Sequence, residues 1–423
     1  TQTAAAMAAQ CLLHRGGANE FVVHPAPGPS DINWQTLLQP KRTSFVRFVF
    51  VYPAIVILIL TPSTLVATMI TSACTLKAPS DNIESFLEWY CDNEEVAGLR
   101  LLVSGILPPI LLTLWEVFAV SFFLLYLVHA QNVQVSLSAT DQRFMKFYYL
   151  WGLLNMLIGG ILGGAVSGIL QQALQNGTTV SSLQQQFGTV LPLSSNFFLS
   201  FVFYRAVFIP TYRLIFPHPG VICYTVNTYL RCCFGCTPTK RDRTMKYSPR
   251  QMRAGREAGL FSVIILLGLT FSVIAPLIAL VCAFFFLTNF IIWRYHLLYV
   301  YERGYESNGT VFYSCSELIM WSLLIAQTFV SSVLFSKSAY APAMVLYLTV
   351  PYYLYTSWQK IVAKFGDARS WSVPLGETVK APATDFGGDI YTHPALRVGA
   401  RGWHPDVGKV WRGYPGVVSK RTF

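Results

Sequence analysis

Charge is what this sequence has least of. Asp, Glu, Lys and Arg together make up 12% of its 423 residues, about half the ~25% usual in soluble domains, which excludes a soluble globular protein. Catalytic strings are lacking as well. No GxSxG, P-loop or HExxH string occurs and the seven histidines are scattered, so the enzyme classes that those strings mark are not indicated. No cofactor is implied. An intramembrane protease would need a second acid at the depth of Glu116, and the spans offer none. An initiator methionine and a signal peptide are lacking too. The chain opens at Thr1, and the apolar stretch from Ala4 to Leu13 is too short to span. It reads as the carboxy-terminal part of something longer. What remains is the passage of ions, solutes or lipids.

Apolar residues are in excess, at 53% of the chain, with 15% aromatic. They gather in about eight segments of spanning length: 45–70, 99–128, 144–174, 190–216, 257–275, 277–300, 312–336 and 339–359. The run 257–300 would make one helix of about 66 Å, twice what a bilayer needs, and Pro276 divides it into a hairpin of two spans. The fold class is thus an all-α integral membrane protein, in a plasma membrane or an endomembrane. Residues 1–44 form the cytosolic end of a preceding domain, 45–360 the transmembrane domain, and 361–423 a polar, Gly- and Pro-rich, mostly disordered tail. In the approach to the membrane, Pro25, Pro27 and Pro29 stiffen an extended strip, and Ser30 and Asp31 are candidate caps for a short helix through Trp34.

Orientation follows from the placement of the bases. Lys41, Arg42 and Arg47 put the amino end in the cytosol, loop 71–98 is acidic and external, and loop 217–256 is strongly basic and internal. The net charge of +11 is therefore positive-inside bias and not a nucleic-acid footprint. The basic loop is a candidate for anionic inner-leaflet lipid, with ordinary positive-inside bias as the plainer alternative. Cys74 and Cys91 flank the external loop and are a disulfide candidate. Asn176 heads the external sequon, whereas Asn308 falls inside. Cys232, Cys233 and Cys236 lie beside the membrane among bases, which suits palmitoylation; zinc with Cys223 or His218, or free thiols, are the alternatives. Permeating ions and membrane lipids are the expected partners, and a homodimer is left open.

The stretch Leu191 to Pro217 carries Arg205 near its middle, then Pro210 and Arg213. An arginine in hydrocarbon costs about 3 kcal/mol or more and turns to a partner or to water. Pro210 predicts a kink. Broken, charged spans line transport paths; a kinked structural helix with Arg205 neutralised by a neighbour is the alternative. Glycines 159, 160, 163, 164 and 168 in the third span suit close helix packing or a flexible pore helix, with Asn155 as a polar group facing water. Counted inward from Leu99 and Val190, Glu116 and Arg205 both lie about 22–26 Å along their helices, hence at similar depth; an ion pair or a water-bridged pair between them is expected where their spans face each other, as the family resemblance given below implies.

Three strings, FVVHPAPGPSDINWQTL, DQRFMKFYYLWGLLNMLIGG and IIWRYHLLYVYERGYES, resemble the calcium-permeable stress-gated cation channels, including the plant hyperosmolality-gated (OSCA) channels. The resemblance covers residues 18–360. It implies a mechanically or osmotically gated, calcium-permeable channel with an anoctamin-like arrangement, of which this chain would lack the first three spans and most of the large cytosolic domain. It places five pore-lining spans at 45–70, 99–128, 144–174, 190–216 and 257–275, making Glu116, Gln131, Asn155, Tyr204, Arg205, Pro210 and Arg213 the pore-lining candidates. The chain departs from the family where ions pass. Tyr204-Arg205-Ala206-Val207 stands in place of Val-Asp-Gly-Trp, Arg213 in place of a glutamate, and Val128-His129-Ala130-Gln131 in place of Lys-Phe-Glu-Gly. A lipid scramblase and a non-conducting regulatory paralogue are the alternative functions.

Overall fold

The computed structural model describes residues 27–37, 41–60, 107–131, 134–159, 180–215, 250–302, 304–305, 307 and 309–365. Those residues are mostly helical, with a two-residue parallel strand pair, an isolated antiparallel bridge between Ile32 and Ser136 and short turns, and nine helices carry the description. Helix α1 is the short Trp34–Leu37, and α2 is Lys41–Leu60, with Pro53 inside it. Helix α3 covers 107–131 and is composite: Leu107–Leu114 is α-helical, Trp115–Val120 is a π-helical turn, and Ser121–Gln131 is α-helical again. Helix α4 covers 137–159, with α-helical Leu137–Trp151 widening into π-helical Gly152–Gly159. Helix α5 is the long Val180–Ile215. Helices α6, Ala254–Phe271, and α7, Leu277–Tyr299, form the hairpin expected at Pro276, which stands immediately before α7. Helix α8 is Thr310–Ser336 and α9 is Tyr340–Phe365. Strands β1, Arg250–Gln251, and β2, Tyr301–Glu302, pair in the register Arg250↔Tyr301.

Each expected segment overlaps a described helix, but the ends differ. Helix α4 begins at Leu137, seven residues before the apolar run, because Ser136 caps it by accepting from the Ala139 amide at 3.1 Å. Helix α9 runs past Lys360 to Phe365. These turns are polar, so hydropathy does not register them. Four of the described helices are long and apolar enough to cross a bilayer: Ser195–Ile215, Ala254–Phe271, Leu277–Tyr299 and Thr310–Ser336.

The core runs between α3, α4, α5 and α6, where Leu124, Tyr148, Phe198, Val263 and Leu267 are fully buried. Outward faces are apolar instead of charged: Leu280, Leu287 and Phe290 of α7 stand open, as do Leu348 and Tyr352 of α9. Such an inverted surface suits lipid as solvent. Glycines set the α4–α6 approach. A Cβ on Gly255 would collide with the Asp141 backbone, and one on Gly259 would sit 3.2 Å from the Tyr148 ring. This GxxxG spacing lets the two backbones close up.

Asp31 departs from expectation. It caps α4 rather than its own short helix, its carboxylate accepting from the Ser138 amide at 2.8 Å and the Ser138 hydroxyl at 2.5 Å. The Leu137 amide donates to the Asp31 carbonyl at 2.9 Å, and Asn33 and Thr36 bond the backbone of Val135 and Gln134. The reason is supply: α4 opens inside the protein with donors that water cannot reach, whereas the single turn of α1 has few to satisfy.

Candidate functional site

The centre of the site is built on the π-turn of α3. A π-turn carries one extra residue per turn and redirects the side chains it holds, and such turns are frequent at functional positions. Here it carries Glu116, and the Ser121 hydroxyl, five residues on, donates to the Glu116 carbonyl at 3.0 Å. Glu116 meets two partners from two other helices. Its Oε2 pairs with Arg205 Nη2 of α5, and its Oε1 accepts from the Tyr148 hydroxyl of α4 at 2.5 Å. Both charged side chains are fully buried. The guanidinium also lies 4.6 Å above the Phe201 ring, while its Nε and Nη1 have no hydrogen-bond partner among the described residues. Opposite charges in direct contact are the usual way to hold an ionised group in a dry interior.

A second buried pair lies toward the start of α6. Arg213 Nη2 of α5 pairs with Glu257 Oε2, Nη1 donates to Asn289 Oδ1 of α7 at 3.0 Å, and the guanidinium lies 5.0 Å over Trp293. Between the two pairs is a cavity of about 20 Å³, lined by Ser121, Tyr148, Ile209, Tyr212, Arg213, Arg256, Glu257 and Leu260. Tyr148 belongs to both the upper pair and this cavity. Polar groups thus run from Arg205 to Asn289 through the middle of the helix bundle.

Beyond the span ends, more ties fasten α4 and α6. Asp141 accepts from Tyr305 and from the Gly255 amide, and burial pushes its carboxyl above the usual range. Arg253 bonds His129 Nε2 at 2.7 Å; burial first, then the Arg253 charge, pushes His129 down to about 4. An imidazole in that state is neutral near neutral pH, so its Nε2 is free to accept. Burial likewise raises Asp31, against the pull of its hydrogen bonds.

Of the candidates read from the sequence, the structure brings Glu116 and Arg205 together. Arg213 pairs with Glu257 instead of standing alone. Asn155 lies in the π-turn of α4 and donates to the Ile59 carbonyl of α2, so this polar group faces a helix end. Gln131 is buried at the end of α3, its amide atoms without a hydrogen-bond partner among the described residues. Tyr204 is half-buried, and Pro210 is buried inside a helix that continues unbroken through it. Cys74, Cys91, Asn176, Cys232, Cys233 and Cys236 lie outside the described residues. Arg253 and Arg256 were counted with the lipid-facing bases of the loop. Arg253 is exposed and bonds His129, and Arg256 lies in the cavity wall.

Sequence reasoning missed Glu257, Tyr148 and Asn289. Glu257 was legible as a second acid, at the mouth of its span and not at the depth of Glu116. Tyr148 carried no signal that set it apart from the other aromatics of FYYLW.

The comparisons with known proteins agree with this architecture. The family model of the calcium-dependent channel 7TM region matches residues 43–334. The chain is 23% identical over 387 residues to hyperosmolality-gated Ca2+ permeable channel 1.7 of Arabidopsis thaliana, covering 88% of this chain and 47% of that protein. Channel 3.1 of the same plant is 26% identical over 353 residues, 83% of this chain and 46% of its own length. The CSC1-like protein ERD4 of Brassica juncea is 26% identical over 326 residues, 76% of this chain and 42% of its own. The chain therefore spans under half the length of these relatives.

Proposed function

This chain belongs to the calcium-dependent channel family of the hyperosmolality-gated and CSC1-like proteins, and on that premise we propose that it is a mechanically or osmotically gated cation channel, calcium-permeable and passive. Eight spans in an anoctamin-like arrangement carry the path, with Glu116, Asn155, Tyr204, Arg205, Pro210 and Arg213 along it and Gln131 at its cytosolic end. The observation that carries this reading is the fully buried Glu116–Arg205 pair, joined by Tyr148, which ties three helices together at one level. With those contacts made, a hydrated ion has no way past. An open state that occupies more area in the membrane plane is favoured by tension without any ligand. Separating α3 from α5 breaks the pair and leaves a carboxylate for a cation to meet.

The test is reconstitution of the chain into liposomes, recording stretch-evoked current beside the flip of fluorescent lipid. Glu116→Gln is expected to lower calcium flux, because Arg205 then presents an uncompensated barrier. Adding Arg205→Asp restores negative charge at that depth and should raise cation flux above that of the single variant. Lipid flip without current favours the scramblase. Silence in both assays favours the non-conducting paralogue, a reading supported by two arginines, Arg205 and Arg213, on the proposed path.

A further inference from the structure

The end of α3 is fastened to the start of α6 by a bond that only one form of its acceptor can make. Arg253 bonds His129 Nε2 at 2.7 Å. A guanidinium donates and never accepts, so Nε2 is the bare nitrogen of a neutral imidazole, and the proton is on Nδ1. His129 lies in the last turn of α3, and Arg253 is the residue from which α6 starts, in extended backbone and with no side-chain cap bond. The amino end of a helix carries positive partial charge. A second proton on His129 would therefore remove the acceptor, put two cations in contact, and set both against the like end of α6. Arg253 is exposed and His129 half-buried, so protons reach the pair from water. Among the described residues, the other charges around it are Asp141 of α4, which acts on Arg253, Arg256 along α6, and Asp31 of the strip, which acts on Asp141. The phenol of Tyr305 donates to Asp141.

We infer that His129 and Arg253 form a clasp released by protons: acid on the face where α6 begins parts the end of α3 from α6 and lowers the tension that opens the gate. The effect on opening rests on the channel function proposed above, whereas the clasp itself does not. Helix α3 also carries Glu116, 13 residues before His129, so the helix that must leave α5 is held at a second level until the clasp lets go. In contact, burial and the Arg253 charge keep His129 down at about 4; parted, it returns toward the ordinary 6.5. Protons therefore favour the parted form, and the ratio of parted to clasped forms rises about 20-fold between pH 7 and pH 5.

The experiment follows amide exchange of the purified full chain in detergent, wild type beside His129→Gln at each pH, so that the intrinsic pH dependence of exchange cancels. The glutamine carbonyl still accepts from Arg253 but takes up no proton in this range. At pH 7 the two proteins should exchange alike at Val128–Gln131. At pH 5 wild type should exchange there about tenfold faster or more, with no difference at Tyr149. Arg253→Ala has no clasp and should exchange fast at Val128–Gln131 at both pH values, which keeps the test open if the glutamine variant does not fold. Asp141→Asn should keep the pH response. Equal exchange of wild type and His129→Gln at pH 5 overturns the clasp, and so does slow exchange of Arg253→Ala at pH 7. In patches at fixed submaximal tension, pH 5 on one face only should raise the ratio of open to closed time by up to about 20-fold, and His129→Gln should abolish the rise. Tension-evoked currents without that rise overturn the role in opening. Absent currents with the exchange difference intact defeat the channel reading and leave the clasp standing.

Discussion

A buried ion pair stabilises little in itself, yet it is costly to break from one side. Glu116 and Arg205 illustrate the asymmetry, both being fully buried. Replacing Glu116 with Ala leaves a guanidinium in a dry interior, and the expected loss is about 3–5 kcal/mol. The double variant Glu116→Leu with Arg205→Met removes both charges, and should recover most of that loss in thermal unfolding of the detergent-solubilised protein. A double variant no more stable than the single one would mean that the two charges do not compensate each other. His129 gives a second expectation, in pH. Its folded-state pKa of about 4 lies below the ordinary 6.5, so between those values the unfolded chain takes up a proton that the folded chain refuses. Stability therefore falls as pH drops from about 6.5 toward about 4. His129→Asn should flatten that part of the melting-temperature profile. An unchanged slope would show that other groups produce it.

Elements decide which of these residues meet. The pairing of Glu116 with Arg205 was legible because residue counts from the span ends convert directly to depth along a helix. The two π-turns were not legible, since an extra residue in a helical turn leaves no mark on hydropathy, and they aim Glu116 and Asn155. Glu257 and the Gly255–Gly259 spacing were overlooked for a related reason. They stand where a basic loop becomes a helix, and the bases of 217–256 dominated the reading. The glycines are open to test. Gly255→Ala would drive a methyl into the Asp141 backbone, which cannot move without displacing α4, so a strong loss of folded protein is expected. Gly268→Ala meets the Cys282 Sγ at 2.9 Å, a side-chain atom that can turn aside, and should cost far less. Size-exclusion profiles of the two variants check the order; equal behaviour would sink the argument that backbone contact sets the α4–α6 distance.

At the scale of the whole molecule, α4 links the strip 27–37 to α3, α6 and α8. Its first turn is clamped by Asp31, and Asp141 ties it to Tyr305. Gln142 donates to Thr310 at 2.7 Å and Lys146 pairs with Glu317 at 2.7 Å, both on α8. Tyr148 then reaches Glu116. From Leu137 to Tyr148 is about 16 Å of continuous helix, stiff enough to carry displacement from the strip 27–37 to the ion pair. The strip 27–37 enters through one buried carboxylate, Asp31, which is 3% exposed. Hydrogen bonds to a charged acceptor contribute about 1.5–3 kcal/mol each, so Asp31→Ala should release the strip while leaving α4 folded between its other ties. Amide exchange at Asn33, Leu137 and Ser138 is expected to quicken by about tenfold or more, with little change at Tyr149. On the proposed channel reading, the tension needed for opening in patches should shift, whereas unitary conductance should stay the same because Asp31 is remote from the pair. Unaltered exchange at Leu137 and Ser138 would show that the clamp holds nothing. A changed conductance at unchanged threshold would place Asp31 on the ion path and remove its role as the point where force enters.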